Sequence, residues 1–127
     1  MQVRSGIGSM TLQDVKRILD AKVITGGDLL TLDVKMACGS DLMSDVLSFV
    51  KPGSLLLTGL TNPQVVRTAE MADLRAICFV RGKMPPAETI EIANSRDIPL
   101  LTTSLPMFES CGRLHREGLP GCSEYKK

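Results

Sequence analysis

Apolar residues return along this chain in two rhythms. Leu12, Val15, Ile18 and Leu19 recur at helical spacing behind Thr11-Leu12-Gln13-Asp14, which predicts an amphipathic helix over 11–20 opened by a capping box. The β-branched run 22–25 reads as a short strand that ends in the Gly26-Gly27 turn. Leu30, Leu32, Val34, Met36 and Cys38 then alternate with Thr31, Asp33, Lys35 and Ala37, the period of a strand with one buried face, and stop at Gly39. A helix is expected next, capped by Ser40 or Asp41, with Leu42, Met43, Val46, Leu47 and Val50 as its buried stripe and Pro52-Gly53 as its end.

From residue 54 the rhythm changes. Runs 54–58, 76–80 and 99–102 are almost continuously apolar, as strands are when helices cover both faces of a parallel sheet. Helical periodicity fills 63–73 and 87–96, and a last helix is predicted from about 105 to 117, with Gly118 as its stop. Thr58, Val80 and Thr102 follow one another at intervals of 22 residues, the length of a compact strand–turn–helix unit. The predicted fold is α/β: a mostly parallel sheet with helices on both faces, built from tandem βα units. One domain is expected over 11–119, with residues 1–10 as a disordered leader and 120–127 as a flexible tail.

Composition narrows the function. The 127 residues suit one domain, and a net charge of +1 provides no field for nucleic acid or an anionic membrane. With no Trp, one Tyr and three Phe, base-stacking platforms lack material. No apolar stretch is long enough to span a bilayer, and the first ten residues lack the apolar middle of a secretory signal, so a cytoplasmic location is the expectation. Four cysteines at 38, 78, 111 and 122 form no C-x-x-C and read as structural thiols. Cys111 and His115 lie four apart on one helix, but two ligands do not make a metal site. Neither a metal nor a cofactor is expected.

In an open α/β sheet, ligands collect beyond the carboxyl ends of the strands. Those ends carry Thr25-Gly26-Gly27, Gly39-Ser40-Asp41, Thr58-Gly59-Leu60-Thr61-Asn62, Arg81-Gly82-Lys83 and Thr102-Thr103-Ser104. Glycine admits close backbone approach, and amides at helix starts favour anions. The candidate ligand contacts are therefore Gly26, Gly27, Ser40, Asp41, Thr58, Gly59, Thr61, Asn62, Arg81, Lys83, Thr102 and Thr103. Each also has a plain reading: Ser40, Asp41 and Asn62 as helix caps, Arg81 and Lys83 as solvated turn charges. No phosphate-binding G-x-x-x-x-G-K-[ST], no strand-borne G-x-G-x-x-G, no H-E-x-x-H and no G-x-S-x-G occurs; a single His argues against a His-based acid–base pair or triad, and carboxylate or lysine chemistry stays open with no pairing to mark it. No catalytic residue is assigned.

Four of these segments, in this order and spacing, resemble a stand-alone DRTGG domain over residues 11–119: Thr25-Gly26-Gly27, the stretch from Gly39 to Leu47, Leu57 to Pro63, and Phe79 to Lys83. Val23 and Ile24 stand where that motif has Asp and Arg. The resemblance implies kinship with the N-terminal domain of HPr kinase/phosphorylase and with hydrogenase-associated forms. It further implies a non-catalytic regulatory module that takes a small anionic or nucleotide-like ligand, or a partner protein of a hydrogenase-related system. A homodimerisation or docking module without a ligand is the alternative, and a small transferase or kinase-like enzyme acting at the strand ends is the third.

Overall fold

The computed structural model of the chain describes residues 10–122. Thr11 caps the first helix: its hydroxyl accepts from the Asp14 amide at 3.2 Å, and the Asp14 carboxylate accepts from the Thr11 amide at 3.0 Å. Partial burial would push the Asp14 carboxyl up, but the Thr11 donors and the Arg17 guanidinium outweigh it and hold it below its ordinary value.

The elements run β1 (Met10–Thr11), α1 (Leu12–Leu19), β2 (Lys22–Thr25), a single 3-10 turn (Gly27–Leu29), β3 (Asp33–Val34), β4 (Ala37–Gly39), α2 (Met43–Phe49), β5 (Leu55–Thr58), α3 (Pro63–Met71), β6 (Ala76–Phe79), α4 (Ala87–Ser95), β7 (Leu100–Thr102) and α5 (Met107–Arg116). A five-stranded sheet has the order β2-β7-β6-β5-β4; β4 to β7 are parallel, and β2 runs antiparallel to β7. β1 and β3 form a small antiparallel pair of their own.

Both faces of the large sheet are covered, which explains the continuous apolar runs. Leu56, Ile77, Phe79 and Leu100 face a layer holding Val46, Val65, Val66, Ala69 and Ala93 of α2, α3 and α4. Their neighbours Leu55, Leu57, Ala76, Cys78 and Leu101 face the other way, onto α1 and α5 with Leu12, Val15, Leu19 and Leu114. The mostly parallel α/β fold expected from the sequence is the fold observed. No helix among the described residues is long and apolar enough to cross a membrane.

Four readings of the sequence are corrected. The alternating run 30–38 is not one strand: it supplies β3 to the small pair and β4 to the large sheet. Ahead of β3 the chain coils so that the Leu32 and Leu30 carbonyls accept the Leu12 and Gln13 amides at 3.0 Å, meeting the open N-terminus of α1. The stripe expected on α2 is buried only at Val46; Leu42 and Leu47 are 56% and 47% exposed because α2 lies over the edge of the sheet, not its centre. Met10 is buried and pairs with Val34, so it belongs to the fold, while the rest of the expected leader lies outside the described residues. Gly121 bridges Ala37, so 120–122 extend the sheet at the β4 edge; 123–127 lie outside the described residues.

Candidate functional site

The carboxyl ends of β4, β5, β6 and β7 share one rim, because these strands are parallel neighbours. The chain leaves β4, β5 and β6 for the α2–α4 face but leaves β7 for the opposite face, where α5 packs on α1. That change of side puts the topological switch between β6 and β7, where open α/β sheets part to admit ligands.

Here the parting is bridged by the protein. The Arg81 amide donates to the Leu105 carbonyl and the Gly82 amide to the Thr103 carbonyl, both at 2.8 Å. The Thr102 hydroxyl donates to the Lys83 carbonyl at 2.8 Å. Buried Thr103 donates to the Leu19 carbonyl at 2.7 Å and accepts from the Leu105 amide at 3.2 Å. Both threonine hydroxyls thus have structural partners: that of Thr102 holds the 81–83 turn, and that of Thr103 ties the start of the β7–α5 loop to the end of α1.

That turn is strained. Arg81 and Gly82 have φ of 59° and 68°, and the Lys83 amide closes on the Val80 carbonyl at 3.3 Å, a tight turn that requires two left-handed residues. Among the described residues the other non-glycine residues at positive φ are Asp20, Asp73 and Asp97, a residue type that tolerates this region by local hydrogen bonding. Arg81 has no such means, and holding it there costs on the order of 1–2 kcal/mol. Its guanidinium lies over the β5 tip: a Cβ built on Gly59 would stand 3.2 Å from Nη2, so only glycine leaves the arginine undisturbed.

Across Gly59 stands Asp41. Its Oδ1 accepts from the Thr58 hydroxyl at 2.9 Å and from the Gly59 amide at 2.7 Å. Asp41 therefore ties β4 to β5 instead of capping α2; Ser40 makes the local turn, its hydroxyl accepting from the Leu42 amide at 3.0 Å. Asn62 caps α3, accepting from the Gln64 amide at 3.0 Å with Pro63 at the first helical position, and the Thr61 carbonyl accepts from Thr89 at 2.8 Å. Exposed Lys83 completes the rim's cations.

The rim thus gathers Ser40, Asp41, Thr58, Gly59, Thr61, Asn62, Arg81, Lys83, Thr102 and Thr103. It does not gather Gly26 or Gly27. Because β2 is antiparallel, Thr25 pairs with Leu100 at the start of β7, and Gly26 packs on Pro99 at the opposite end of the sheet.

The sequence reading missed two cavities that flank the edge strand β4. One, of about 410 Å³, lies towards α5 and is lined by Phe108, Cys111, His115 and Leu119. The other, of about 340 Å³, lies towards α2 and is lined by Asp45, Phe49, Val50 and Cys122. A signal existed in Phe108: Met107, Cys111 and Leu114 account for the buried side of α5, which leaves a large aromatic 85% exposed.

The DRTGG domain family model matches residues 14–116. No curated protein matches the chain. Among solved structures, the chain is similar to one of the CBS and DRTGG domains of the regulatory region of Clostridium perfringens pyrophosphatase, complexed with its activator diadenosine tetraphosphate. That similarity has a TM-score of 0.68 at 19% identity and covers 87% of this chain and 47% of that one. The chain therefore spans about half the length of that solved chain.

Proposed function

The chain belongs to the DRTGG domain family, and from that premise we propose that it is a non-catalytic regulatory module whose β4–β7 rim binds a small anionic, nucleotide-like ligand. The observation that carries this reading is Arg81, held in a left-handed turn with its guanidinium over the β5 tip. A strained cation braced by its neighbours points to a functional demand on its position. Lys83 adds charge, and Asp41 keeps Oδ2 clear of the two bonds made by Oδ1, available to a ligand hydroxyl or amine. The pyrophosphatase regulatory region is complexed with a dinucleotide polyphosphate, so nucleotide polyphosphates form the first class to test.

A thermal-shift series with nucleoside di- and triphosphates, dinucleotide polyphosphates and inorganic polyphosphate tests it. A ligand at 100 times its Kd adds about 2.7 kcal/mol, a rise of several degrees in the midpoint. Arg81→Gly should weaken binding roughly 10- to 100-fold, the worth of a charge-assisted contact. It should leave the free protein within about 1 kcal/mol, because relief of the left-handed backbone offsets glycine's larger unfolded entropy. A wild-type midpoint unmoved by every anion in the series defeats the reading.

The apolar surface beside β4 favours a second reading, a homodimer or docking module. Phe108, Leu42 and Phe49 are 85%, 56% and 55% exposed around an edge strand, and surfaces of this kind mark association sites. The hydrogenase-related partner implied by the sequence resemblance belongs to this reading. Light scattering should give twice the chain mass for the wild type and the single-chain mass for Phe108→Glu. A monomeric wild type removes the homodimer.

A further inference from the structure

Two cysteines far apart in sequence meet at the edge of the sheet, where β4 runs up to the rim residue Ser40. We infer that Cys38 and Cys122 are a modification site: a dithiol that closes to an intrachain disulfide by exchange with a small-molecule disulfide, fastening 120–122 to β4. Backbone register carries the argument. The Ala37 amide donates to the Pro120 carbonyl at 3.0 Å, the Cys122 amide donates to the Ala37 carbonyl at 3.3 Å, and Gly121 bridges Ala37 in parallel. The next residue on each strand is a cysteine, so Cys38 and Cys122 stand side by side. Neighbouring strands lie about 4.8 Å apart, inside the roughly 4.4–6.8 Å span of Cα separations that disulfides bridge.

Their side chains share a face. A Cβ built on Gly39 would meet Cys111 Sγ and Met107 Sδ, so Gly39 looks towards α5 and Cys38, one residue earlier, looks away from it. Cys38 borders both cavities and shares the one towards α2 with Cys122. Cys111 lines only the opposite cavity, beyond the β4 backbone. Burial first, and then the adjoining Cys122, push the Cys38 thiol up to about 12, so little of it is thiolate and its attack is the slow step of the exchange.

The exchange balances with oxidised glutathione as the oxidant. Cys122 Sγ, its proton lost to solvent, attacks one glutathione sulfur; the S–S bond breaks and the other glutathione leaves as a thiolate. Cys38 Sγ then loses its proton and attacks Cys122 Sγ, and the second glutathione leaves with the electron pair. Two protein thiols are oxidised and one glutathione disulfide is reduced to two thiols. Cys122 is reached when 120–122 open locally, with two backbone bonds broken and the strand pairings of β4 to β7 intact.

The four cysteines fall on four separate tryptic peptides, so the product can be read directly. The full chain treated with oxidised glutathione should lose two hydrogens, keep no glutathione and yield a linked Cys38–Cys122 peptide. Closing so long a loop should raise the thermal midpoint on the order of 10 °C, reversibly with dithiothreitol. Cys122→Ser should give no link and no rise, and Cys111→Ser should behave as the wild type. Glutathione retained on either thiol, a Cys38–Cys111 link, a link between chains, or no reaction overturns the inference.

Discussion

Gly26→Ala is expected to destabilise the protein by about 2–5 kcal/mol, lowering the thermal midpoint on the order of 10 °C. Gly26 has a φ of +86°, where a Cβ costs on the order of 1–2 kcal/mol. That Cβ would also stand 2.8 Å from Pro99 Cα and 2.9 Å from Pro99 Cβ, so a rigid ring and its backbone would have to move. Overpacking of this kind adds roughly 1–3 kcal/mol. Gly27→Ala is the control: φ there is not positive and the nearest atom, Val23 Cγ1, is 3.9 Å away, so its cost should stay below about 1 kcal/mol. Urea unfolding of the pair decides between a backbone role and a ligand role. Equal midpoints, with nucleotide binding lost only in Gly26→Ala, would return this turn to the ligand.

The second large effect is expected at Phe79, where truncation to alanine should cost about 3–5 kcal/mol. Phe79 is fully buried on β6, an interior strand, and packs into the α2–α4 layer. Its carbonyl also accepts from the Thr103 amide at 2.9 Å, so the cavity would open directly beneath the β6–β7 tips. Phe79→Leu keeps most of the volume and should cost roughly half as much. Urea midpoints check both, and a Phe79→Ala cost under about 1 kcal/mol would mean that this layer repacks freely.

If the rim binds anions, the ligand meets a surface already partly neutralised from within. Asp41 holds the Gly59 amide that a phosphate would otherwise use, opposite the Arg81 guanidinium. A ligand that offers a hydroxyl to Asp41 and a phosphate to Arg81 and Lys83 suits this pairing better than a bare anion does. The polyphosphate in the thermal-shift series therefore separates simple charge attraction from recognition of the nucleoside.

Much of the architecture was legible because it is local. Continuous apolar runs 54–58, 76–80 and 99–102 mark strands covered on both faces, and the 22-residue interval marks their joining helices. The Asn62-Pro63 start of α3 and the Thr11 capping box were readable for the same reason: a cap involves residues within three positions of each other. Hydrophobic pattern carries no arrow, however. It marks 22–25 as a strand but not its direction, and the return of the chain after α1 makes β2 antiparallel, taking Gly26 and Gly27 from the rim. Asp41 likewise looked like a cap in sequence, yet it bonds across to β5, 17 and 18 residues away.

From its sequence alone, this chain determined the covered parallel strands, the helices between them and the glycine, hydroxyl and cationic residues at the strand ends, because neighbour-to-neighbour physics governs all three. Only the tertiary structure decided which tips share a rim, that Arg81 is braced in a strained turn opposite Asp41, and that Cys38 meets Cys122. Those depend on strand direction and register, which packing between distant segments selects.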